Sequence, residues 1–356
     1  MKIAKIYSEL MERSKLDHIY GTFYNKDIFV TGGCGSIGSE IVKQLLKYKP
    51  KRIRVFDNNE SGLFHLQQEL HSPIIRLLVG DIRDKERLRL AVRNADIVFH
   101  AAALKHVPLC EYNPFEAVHT NVLGTQNLVE VVRDEKIDRL ISISTDKAVN
   151  PINTMGATKL LSEKLVLTGL MGDNCRTKFS CVRFGNVLNS VGSIIPILKK
   201  QIKQGGPVTI TSKEMVRFFM SMPEAVNLVL KACHLAKGGE IFILKMKKIK
   251  IVDLAEVLIE KMAPKYGYNP QDIKVTIIGV RPGEKIEEKL VTEEEKGYIF
   301  NIDQSIAVLR MPRTYPYHLS TLTSIVRRKL PPNLNDGVLL TKEEIATIID
   351  RLNFCN

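Results

Sequence analysis

The chain has 356 residues, of which 44% are hydrophobic and 26% charged, with a formal net charge of +13, and these values indicate a globular protein of about two domains. No apolar run approaches the roughly 18 to 20 residues of a membrane-spanning helix, and residues 1–15 lack the apolar centre of a signal peptide, so we expect a cytoplasmic protein without a membrane span. The positive charges are spread out without a nucleic-acid-binding motif, and the six cysteines form no C-x-x-C pair, so neither a nucleic-acid partner nor a bound metal is expected.

The predicted elements alternate along the chain. Residues 1–20 predict an amphipathic helix, because apolar side chains recur along one stripe. Strand-like runs then cover residues 27–31, 52–56, 74–79, 96–100, 139–142 and 179–183. Helical patterns lie between them, at residues 36–48, 60–70, 85–92, 114–133 and 154–170. This alternation predicts right-handed crossovers and a parallel sheet covered on both faces.

The expected fold class is therefore α/β, with a Rossmann-type doubly wound parallel sheet and a smaller C-terminal α/β domain. After residue 184, Gly and Pro become frequent and the elements shorten. The expected parts are an N-terminal helix (1–24), the sheet domain (25–184, with 222–262 returning to it), the second domain (185–217 and 263–312) and a helical tail (313–356). In the tail, Thr341 and Glu344 predict a capping box that opens a helix at residues 341–352.

A glycine-rich turn follows the first predicted strand. The segment from Thr31 to Gly38 reads TGGCGSIG, which places G-x-x-G-x-x-G between a strand and a helix. Such glycines let the backbone approach a pyrophosphate, and the helix N-terminus attracts its charge. Asp57 lies at the end of the second strand, where a carboxylate binds the adenosine ribose and repels a 2′-phosphate. We therefore expect NAD rather than NADP, bound by Gly32, Gly35, Ser36, Ile37, Gly38 and Asp57.

Further candidate cofactor residues follow the third and fourth strands. Asp81 and Ile82 are placed to flank an adenine, and small residues at Ala101 and Ala102 permit close approach of the backbone. Asn121, in the next helical segment, belongs to the same predicted set.

Polar residues follow the fifth strand, whose carboxyl end faces the ligand crevice in open α/β sheets. Thr145, Asp146 and Lys147 form this group, and Met155 and Lys159 lie one turn apart on the next helix. A Tyr-x-x-x-Lys pair would supply a phenol for proton transfer, but here the first position is Met155, and a thioether cannot act as a proton base. Either the chain is an inactive cofactor-binding protein, or Asp146 and Lys147 perform the proton transfers.

These motifs resemble the extended short-chain dehydrogenase/reductase family. Within it, the chain is similar to UDP-N-acetylglucosamine 4,6-dehydratases of polysaccharide biosynthesis, in the branch that carries Met instead of the catalytic Tyr. The resemblance covers about residues 25–300 and is carried by residues 31–38, 100–108, 144–159, 183–196 and 281–285. Many members of that branch have an N-terminal membrane portion, which is absent here, so we expect a soluble form.

The resemblance implies a lyase with tightly bound NAD and a UDP-sugar substrate. Hydride leaves C4 for NAD, water is lost across C5 and C6, and the hydride returns to C6, giving a 4-keto-6-deoxy sugar for surface-glycan synthesis. Elimination needs an acid and a base beyond oxidation. Thr145 is expected to bind the C4 oxygen, Asp146 to protonate the departing oxygen, and Lys147 to take the C5 proton. Lys159 is expected to bind the nicotinamide ribose.

The second domain is expected to hold the substrate. Lys105 and His106 are placed to border the sugar, although a lone His is more often structural. By resemblance, Asn186 contacts the nucleotide sugar. Arg217 and Arg281 are expected at the diphosphate, because a guanidinium fork suits two phosphate oxygens.

Two alternatives remain open: a UDP-sugar 4-epimerase of the same fold, or an NAD-binding scaffold with a degenerate site. Related enzymes associate through helices of the dinucleotide domain, so the resemblance also implies a homo-oligomer.

Overall fold

The computed structural model describes residues 19–170, 175–188, 190, 192–309 and 334–352. Most of the expected N-terminal helix and the first part of the expected tail, residues 313–333, lie outside the described residues. Residues 19–23 are helical and lead into the first strand. Within the described segments, no helix is both long and apolar enough to cross a membrane.

The strands, in chain order, are β1 (Asp27–Thr31), β2 (Arg52–Asp57), β3 (Ile75–Val79), β4 (Ile97–His100), β5 (Arg139–Thr145), β6 (Lys178–Phe184), β7 (Asn186–Val187), β8 (Val208–Ile210), β9 (Val216–Met220), β10 (Ile241–Leu244), β11 (Lys247–Lys250), β12 (Val275–Ile277), β13 (Ile299–Asn301) and β14 (Ile306–Leu309). The large sheet has the order β13-β14-β10-β6-β5-β4-β1-β2-β3. From β3 to β10 neighbouring strands are parallel, whereas β14 is antiparallel to both β10 and β13. The predicted α/β class with a doubly wound parallel sheet is therefore confirmed.

The α-helices are α1 (Ser36–Leu45), α2 (Glu60–Leu70), α3 (Lys85–Val92), α4 (Val107–Tyr112), α5 (Pro114–Ala117), α6 (Gly124–Asp134), α7 (Thr154–Thr168), α8 (Ile194–Lys203), α9 (Met222–Leu235), α10 (Ile251–Met262) and α11 (Lys342–Arg351). A π-helical segment, Val118–Leu123, joins α5 to α6, so the single predicted helix at 114–133 is interrupted by a wider turn. The predicted capping box is present, because Thr341 and Glu344 bond reciprocally at the start of α11.

The main core lies on both faces of the large sheet. All five residues of β1 are buried, as expected for a central strand of a parallel sheet with helices on both faces. The strand order reverses direction at β1, which has β2 on one side and β4 on the other. Ligands of doubly wound sheets bind outside the carboxyl ends of strands at such a switch point.

A second apolar cluster holds the smaller unit together. It gathers buried side chains of α8, α10 and α11 around β8, beside a three-stranded sheet, β11-β9-β7, and a two-stranded sheet, β12-β8. Residues 251–262, grouped above with the sheet domain, pack in this cluster. Residues 299–309, grouped above with the second domain, form the β13-β14 edge of the large sheet. Local sequence patterns do not show which of two sheets a short strand joins, since that depends on pairing partners far along the chain.

Candidate active site

The turn between β1 and α1 requires glycines because backbone segments touch there. Gly32 has a φ of 64°, and an added Cβ would lie 2.5 Å from the backbone nitrogen of Ala102. A Cβ on Gly38 would lie 2.2 Å from the carbonyl oxygen of Gly32. Helix α1 begins at Ser36, and Gly35 provides no side-chain cap. The positive end of the helix dipole is thus directed at the turn, as in sites that bind phosphates.

Asp57 ties this turn to the end of β2. One carboxylate oxygen accepts a hydrogen bond from the backbone N–H of Cys34 (2.9 Å), and the other accepts from the N–H of Asn59 (3.0 Å). Burial, together with the Asp57 charge, raises the pKa of the Cys34 thiol to about 12. Each oxygen of Asp57 retains a lone pair that a ribose hydroxyl can use.

A cleft of about 570 Å³ opens at this edge of the sheet, a size typical of cofactor sites. The predicted cofactor residues that line it are Gly32, Gly35, Ser36, Asp57, Asp81, Ile82, Ala101 and Ala102. Lys105, predicted on the substrate side, lines the same cleft, and burial lowers its pKa.

The rim around Asp81 includes residues that the sequence did not indicate. Arg83 lies 2.7 Å from Asp81 and 3.0 Å from Glu116, and both of these partners line the cleft with it. Although burial raises the pKa of Asp81, hydrogen bonds from Arg83 and Asn58 lower it overall. Asp81 is therefore held as a carboxylate at this rim.

Three predicted cofactor residues lie behind the lining of the cleft. Ile37 packs against the main core, and Gly38 is buried under the glycine turn. The buried Asn121 amide accepts from the N–H of Leu104 (2.8 Å) and donates to its carbonyl (3.0 Å) and to Thr158 (3.0 Å). Asn121 therefore fixes the loop after β4 from the side away from the cleft.

A buried histidine joins the glycine turn to α6. The His100 ring contacts Thr31 Oγ1 through Nδ1 (2.8 Å) and Thr125 Oγ1 through Nε2 (3.0 Å). Since the Thr125 hydroxyl donates to the Asn121 carbonyl (2.6 Å), it accepts from His100. Burial, reinforced by the charge of Lys159, lowers the pKa of His100 to about 3. His100 is thus neutral and carries its proton on Nε2.

The three predicted reacting residues, 145–147, lie at the end of β5, and we call this segment the reacting turn. Thr145 is the last residue of that strand, and its hydroxyl donates to Asp146 Oδ1 (2.9 Å). The Lys147 Nζ donates to the same oxygen (3.0 Å) and lies 3.4 Å from Asn186 Oδ1. The structure thus brings together the three predicted reacting residues and one predicted substrate residue.

Asp146 is fully buried beneath Lys147. Its Oδ2 has no hydrogen-bond partner among the described residues. This oxygen faces Gly185, where an added Cβ would lie 2.9 Å from it. A buried carboxylate oxygen without a donor is destabilising, so it is available to accept a proton or a hydrogen bond from a bound ligand.

Lys159 and Met155 have different surroundings although they lie one turn apart on α7. The buried Lys159 ammonium donates to the carbonyl of Ile143 in β5 (2.6 Å), and burial lowers its pKa. Met155 is 4% exposed and packs in a small apolar cluster with Cys110 and Ala117. Lys159 is therefore directed at the end of β5, whereas Met155 packs against α4 and α5.

The sequence reasoning missed a second pair of charged residues at this turn. Glu288 is 3% exposed, and its carboxylate lies 3.8 Å from Lys147 Nζ and 3.1 Å from Lys285 Nζ. Lys285 Nζ donates to the carbonyl of Val149 (2.8 Å). The available signal is the segment RPGEKIEE, residues 281–288, whose acidic residues follow the arginine that is predicted at the diphosphate.

The remaining substrate candidates lie around this segment. The His106 ring lies against Gly192, where an added Cβ would be 2.4 Å from it. The buried Arg217 donates to the carbonyls of Val216 (2.8 Å), Ile286 (2.9 Å) and Lys285 (2.7 Å), so it holds the segment that begins at Arg281. Arg281 itself is exposed.

The doubly wound sheet, the glycine turn after β1 and the Thr-Asp-Lys turn after β5 define the class: this is an extended short-chain dehydrogenase/reductase. Residues 28–309 match the family described as polysaccharide biosynthesis protein. The chain belongs to that family.

Relatives include proteins of several descriptions. The chain is 58% identical over 334 residues to the uncharacterized membrane protein MJ1061 of Methanocaldococcus jannaschii, covering 93% of this chain and 98% of that protein. It is 48% identical to the capsular polysaccharide biosynthesis protein CapD of Staphylococcus aureus over 76% of this chain, but it spans only 46% of CapD. It is 40% identical to the UDP-N-acetylglucosamine 4,6-dehydratase (inverting) of Campylobacter jejuni, covering 80% and 83% of the two chains. Identity is also 40% to the UDP-glucose 4-epimerase of Rickettsia akari, covering 77% and 80%.

Among solved structures, the X-ray structure of Pen from Bacillus thuringiensis superposes with a TM-score of 0.86 at 38% identity. The match covers 94% of this chain and 99% of that chain.

Proposed function

We propose that this protein is an NAD-dependent nucleotide-sugar 4,6-dehydratase that converts UDP-N-acetylglucosamine to its 4-keto-6-deoxy derivative, for surface-glycan or modified-sugar synthesis. The observation that carries the proposal is the hydrogen-bonded unit of Thr145, Asp146 and Lys147 at the end of β5. Elimination of water needs an acid and a base beyond those of simple oxidation, and this unit offers both. The similarity to the Campylobacter jejuni dehydratase supports the same reaction.

The residues around the cleft fit a dinucleotide. The glycine turn and the start of α1 suit the pyrophosphate, and the Asp57 carboxylate suits ribose hydroxyls while repelling a 2′-phosphate. We therefore propose NAD rather than NADP. When bound, NAD would take a hydride from C4 of the sugar and return it at C6. Lys159 would hold the nicotinamide ribose through its buried ammonium.

The proton transfers balance with two side chains. Asp146 takes the proton of the C4 hydroxyl, directly or through a water, and later gives it to the C6 oxygen, which leaves as water. Lys147 acts as the neutral amine: its lone pair takes the C5 proton to give an ammonium, which returns the proton to C5 when the hydride reaches C6. Thr145 donates a hydrogen bond to the C4 oxygen. Each group ends the cycle in the state in which it began, so no phenol is required at Met155.

The substrate contacts follow from the same geometry. Asn186 lies beside Lys147 and is our candidate for a sugar contact. Lys105, which lines the cleft, and His106 are our further candidates for the border of the sugar. Arg281 is exposed at the start of its segment and is our candidate for the diphosphate. Arg217 would have to exchange its carbonyl partners to bind a phosphate, so it contributes mainly by holding that segment.

The test is incubation of the purified protein with UDP-N-acetylglucosamine and NAD, followed by mass spectrometry of the sugar nucleotide. Loss of one water is expected. Unchanged mass with a new sugar isomer would instead indicate the second candidate, a UDP-sugar 4-epimerase, which the 40% identity to the Rickettsia akari enzyme favours. A sugar nucleotide that remains chemically unchanged would contradict both.

Substitution at the reacting turn separates catalysis from cofactor binding. Asp146→Asn and Lys147→Ala should each abolish formation of the keto sugar, because each removes one proton carrier. NAD should remain bound, because neither residue belongs to the glycine turn. Turnover is followed by mass spectrometry and NAD binding by calorimetry. Wild-type turnover in either variant would exclude that residue from the mechanism.

We further propose a homo-oligomer located in the cytoplasm, where NAD and UDP-sugars are available. Leu109, Tyr112 and Phe115 are more than half exposed on α4 and α5, and clustered apolar side chains of this kind support a protein contact. Light scattering of the purified protein measures the mass of the assembly, and a monomer would contradict the first part of this proposal.

A further inference from the structure

Glu288 is a buried carboxylate that the proposed proton transfers do not use. It comes from the second unit, yet it reaches the turn after β5, where Lys147 Nζ lies 3.8 Å from one oxygen and Lys285 Nζ lies 3.1 Å from the other. Burial of a charged carboxylate is costly unless cations lie close by. Lys285, the nearer of the two lysines, is therefore the cation that stabilises a carboxylate at this position before Lys147 takes up a proton.

Lys285 is itself fixed, so it keeps a positive charge 3.1 Å from Glu288 Oε2, an oxygen that has no hydrogen bond among the described residues. The Lys285 ammonium donates to the Val149 carbonyl (2.8 Å), and the Asn153 amide donates to the Gly283 carbonyl (2.7 Å). Together with the pair of Lys147 and Glu288, these contacts bind residues 283–288 to residues 147–153. The second unit thus contributes one wall of the reacting turn.

The distances around Lys147 distinguish its partners. Its Nζ is within hydrogen-bonding distance of Asp146 Oδ1 (3.0 Å) and Asn186 Oδ1 (3.4 Å), whereas Glu288 lies beyond that distance. An ammonium has three N–H groups, so two protein hydrogen bonds leave one direction for the proton exchanged with a substrate. Glu288 therefore places a negative charge near Lys147 without occupying that direction.

We propose that Glu288 is a positioning residue for the C5 proton transfer, an inference that rests on the proposed dehydratase function. As Lys147 takes the C5 proton, it gains a positive charge, and the Glu288 carboxylate stabilises that charge through its fixed position. Lys285 balances the charge of Glu288 before the transfer. Glu288 thereby favours the C5 step in particular, whereas binding of sugar and cofactor does not depend on it.

The test compares Glu288→Gln with the wild-type protein on UDP-N-acetylglucosamine carrying hydrogen or deuterium at C5. We expect kcat to fall roughly 100-fold, as when one preorganised charge partner is removed from a transition state, with KM and NAD affinity unchanged. The C5 deuterium isotope effect on kcat should rise, because the C5 step becomes rate-limiting. A structural role alone would not raise that isotope effect.

Two further variants complete the design. Glu287→Gln is the matched control, because the neighbouring glutamate is exposed and pairs with Lys248 instead, so its kcat should equal that of the wild type. Glu288→Asp keeps the charge and should recover part of the lost rate. This variant also provides a test if Glu288→Gln does not fold.

The outcomes are distinct. Wild-type kcat in Glu288→Gln, or a loss of kcat without a larger C5 isotope effect, would overturn the inference while the dehydratase function stands. Absence of water loss in the wild type would overturn the dehydratase function, and the inference with it.

Discussion

At the residue scale, Met155 and Gly185 show how side-chain size shapes the reacting turn. Met155 occupies the first position of the segment that was compared with Tyr-x-x-x-Lys, and in the structure it packs in an apolar cluster with Cys110 and Ala117. The apolar surroundings explain why an apolar side chain stands at this position. Because a thioether cannot act as a proton base, the proton transfers must be performed by other groups. Gly185, by contrast, leaves room for the Asp146 carboxylate.

Gly185→Ala is therefore expected to displace Asp146. The added Cβ would lie 2.6 Å from Phe218 Cβ and 2.9 Å from Asp146 Oδ2, so we expect a loss of stability of about 1–3 kcal/mol from overpacking. Turnover should fall roughly 100-fold, because small displacements of reacting groups are costly, with NAD binding retained. Urea unfolding, turnover and calorimetry measure the three quantities.

Gly297→Ala is the matched control, since an added Cβ there meets no atom within 4 Å among the described residues. It should leave both stability and turnover unchanged. Equal turnover in the two glycine variants would show that Asp146 is not displaced.

At the element scale, neutral polar groups connect strand ends to helices. His100 ends β4 and joins the β1 end at Thr31 to α6 at Thr125. The π-helical segment before α6 contains Asn121, whose amide fixes the loop after β4. These contacts fix the loop after β4 beside the cleft, and they depend on His100 remaining uncharged.

The pH dependence of stability follows from His100. Its pKa is about 3 in the folded protein against an ordinary value of 6.5, so the unfolded chain binds the additional proton. The contribution of neutral His100 to the free energy of unfolding is fully present above about pH 6.5. It is lost as the pH falls from there towards 3, by at most about 1.4 kcal/mol per pH unit. Urea unfolding over this range should show a shallower slope for His100→Asn than for the wild type. Equal slopes would mean that His100 is protonated in the folded protein.

At the scale of the whole molecule, a buried ion network joins the centre of the large sheet to residues 290–295, the segment that leads into β13 at the edge of that sheet. Arg183 in β6 is 1% exposed and lies 2.7 Å from Glu163 of α7 and 2.9 Å from Glu295. It also donates to the carbonyl of Leu290 (2.9 Å). Glu163 in turn accepts from Ser144, next to the reacting turn (2.5 Å). One guanidinium therefore fixes residues 290–295 and α7 against β6, beside the strand that carries the site.

Arg183→Met should destabilise the protein by about 3–5 kcal/mol, because it leaves Glu163 buried without its cation. Unfolding by urea measures this loss. Lys26→Met is the control, since the ion pair of Lys26 with Asp96 lies at the surface (3.3 Å) and contributes less than about 1 kcal/mol. Similar losses in the two variants would show that the buried network contributes no more to stability than a surface ion pair.

The sequence by itself determined the alternating elements, the parallel sheet, the glycine turn with Asp57 and the Thr-Asp-Lys turn, because each depends on residues close together in the chain. Most predicted strands agree with the structure within one residue, although β5 extends three residues further, to Thr145. Only the tertiary structure decided that β13 and β14 join the large sheet, that Asn121 and Arg217 hold loops, and that Glu288 reaches Lys147. These features depend on contacts between segments far apart in the chain, where burial and charge pairing, and not local periodicity, select the partner.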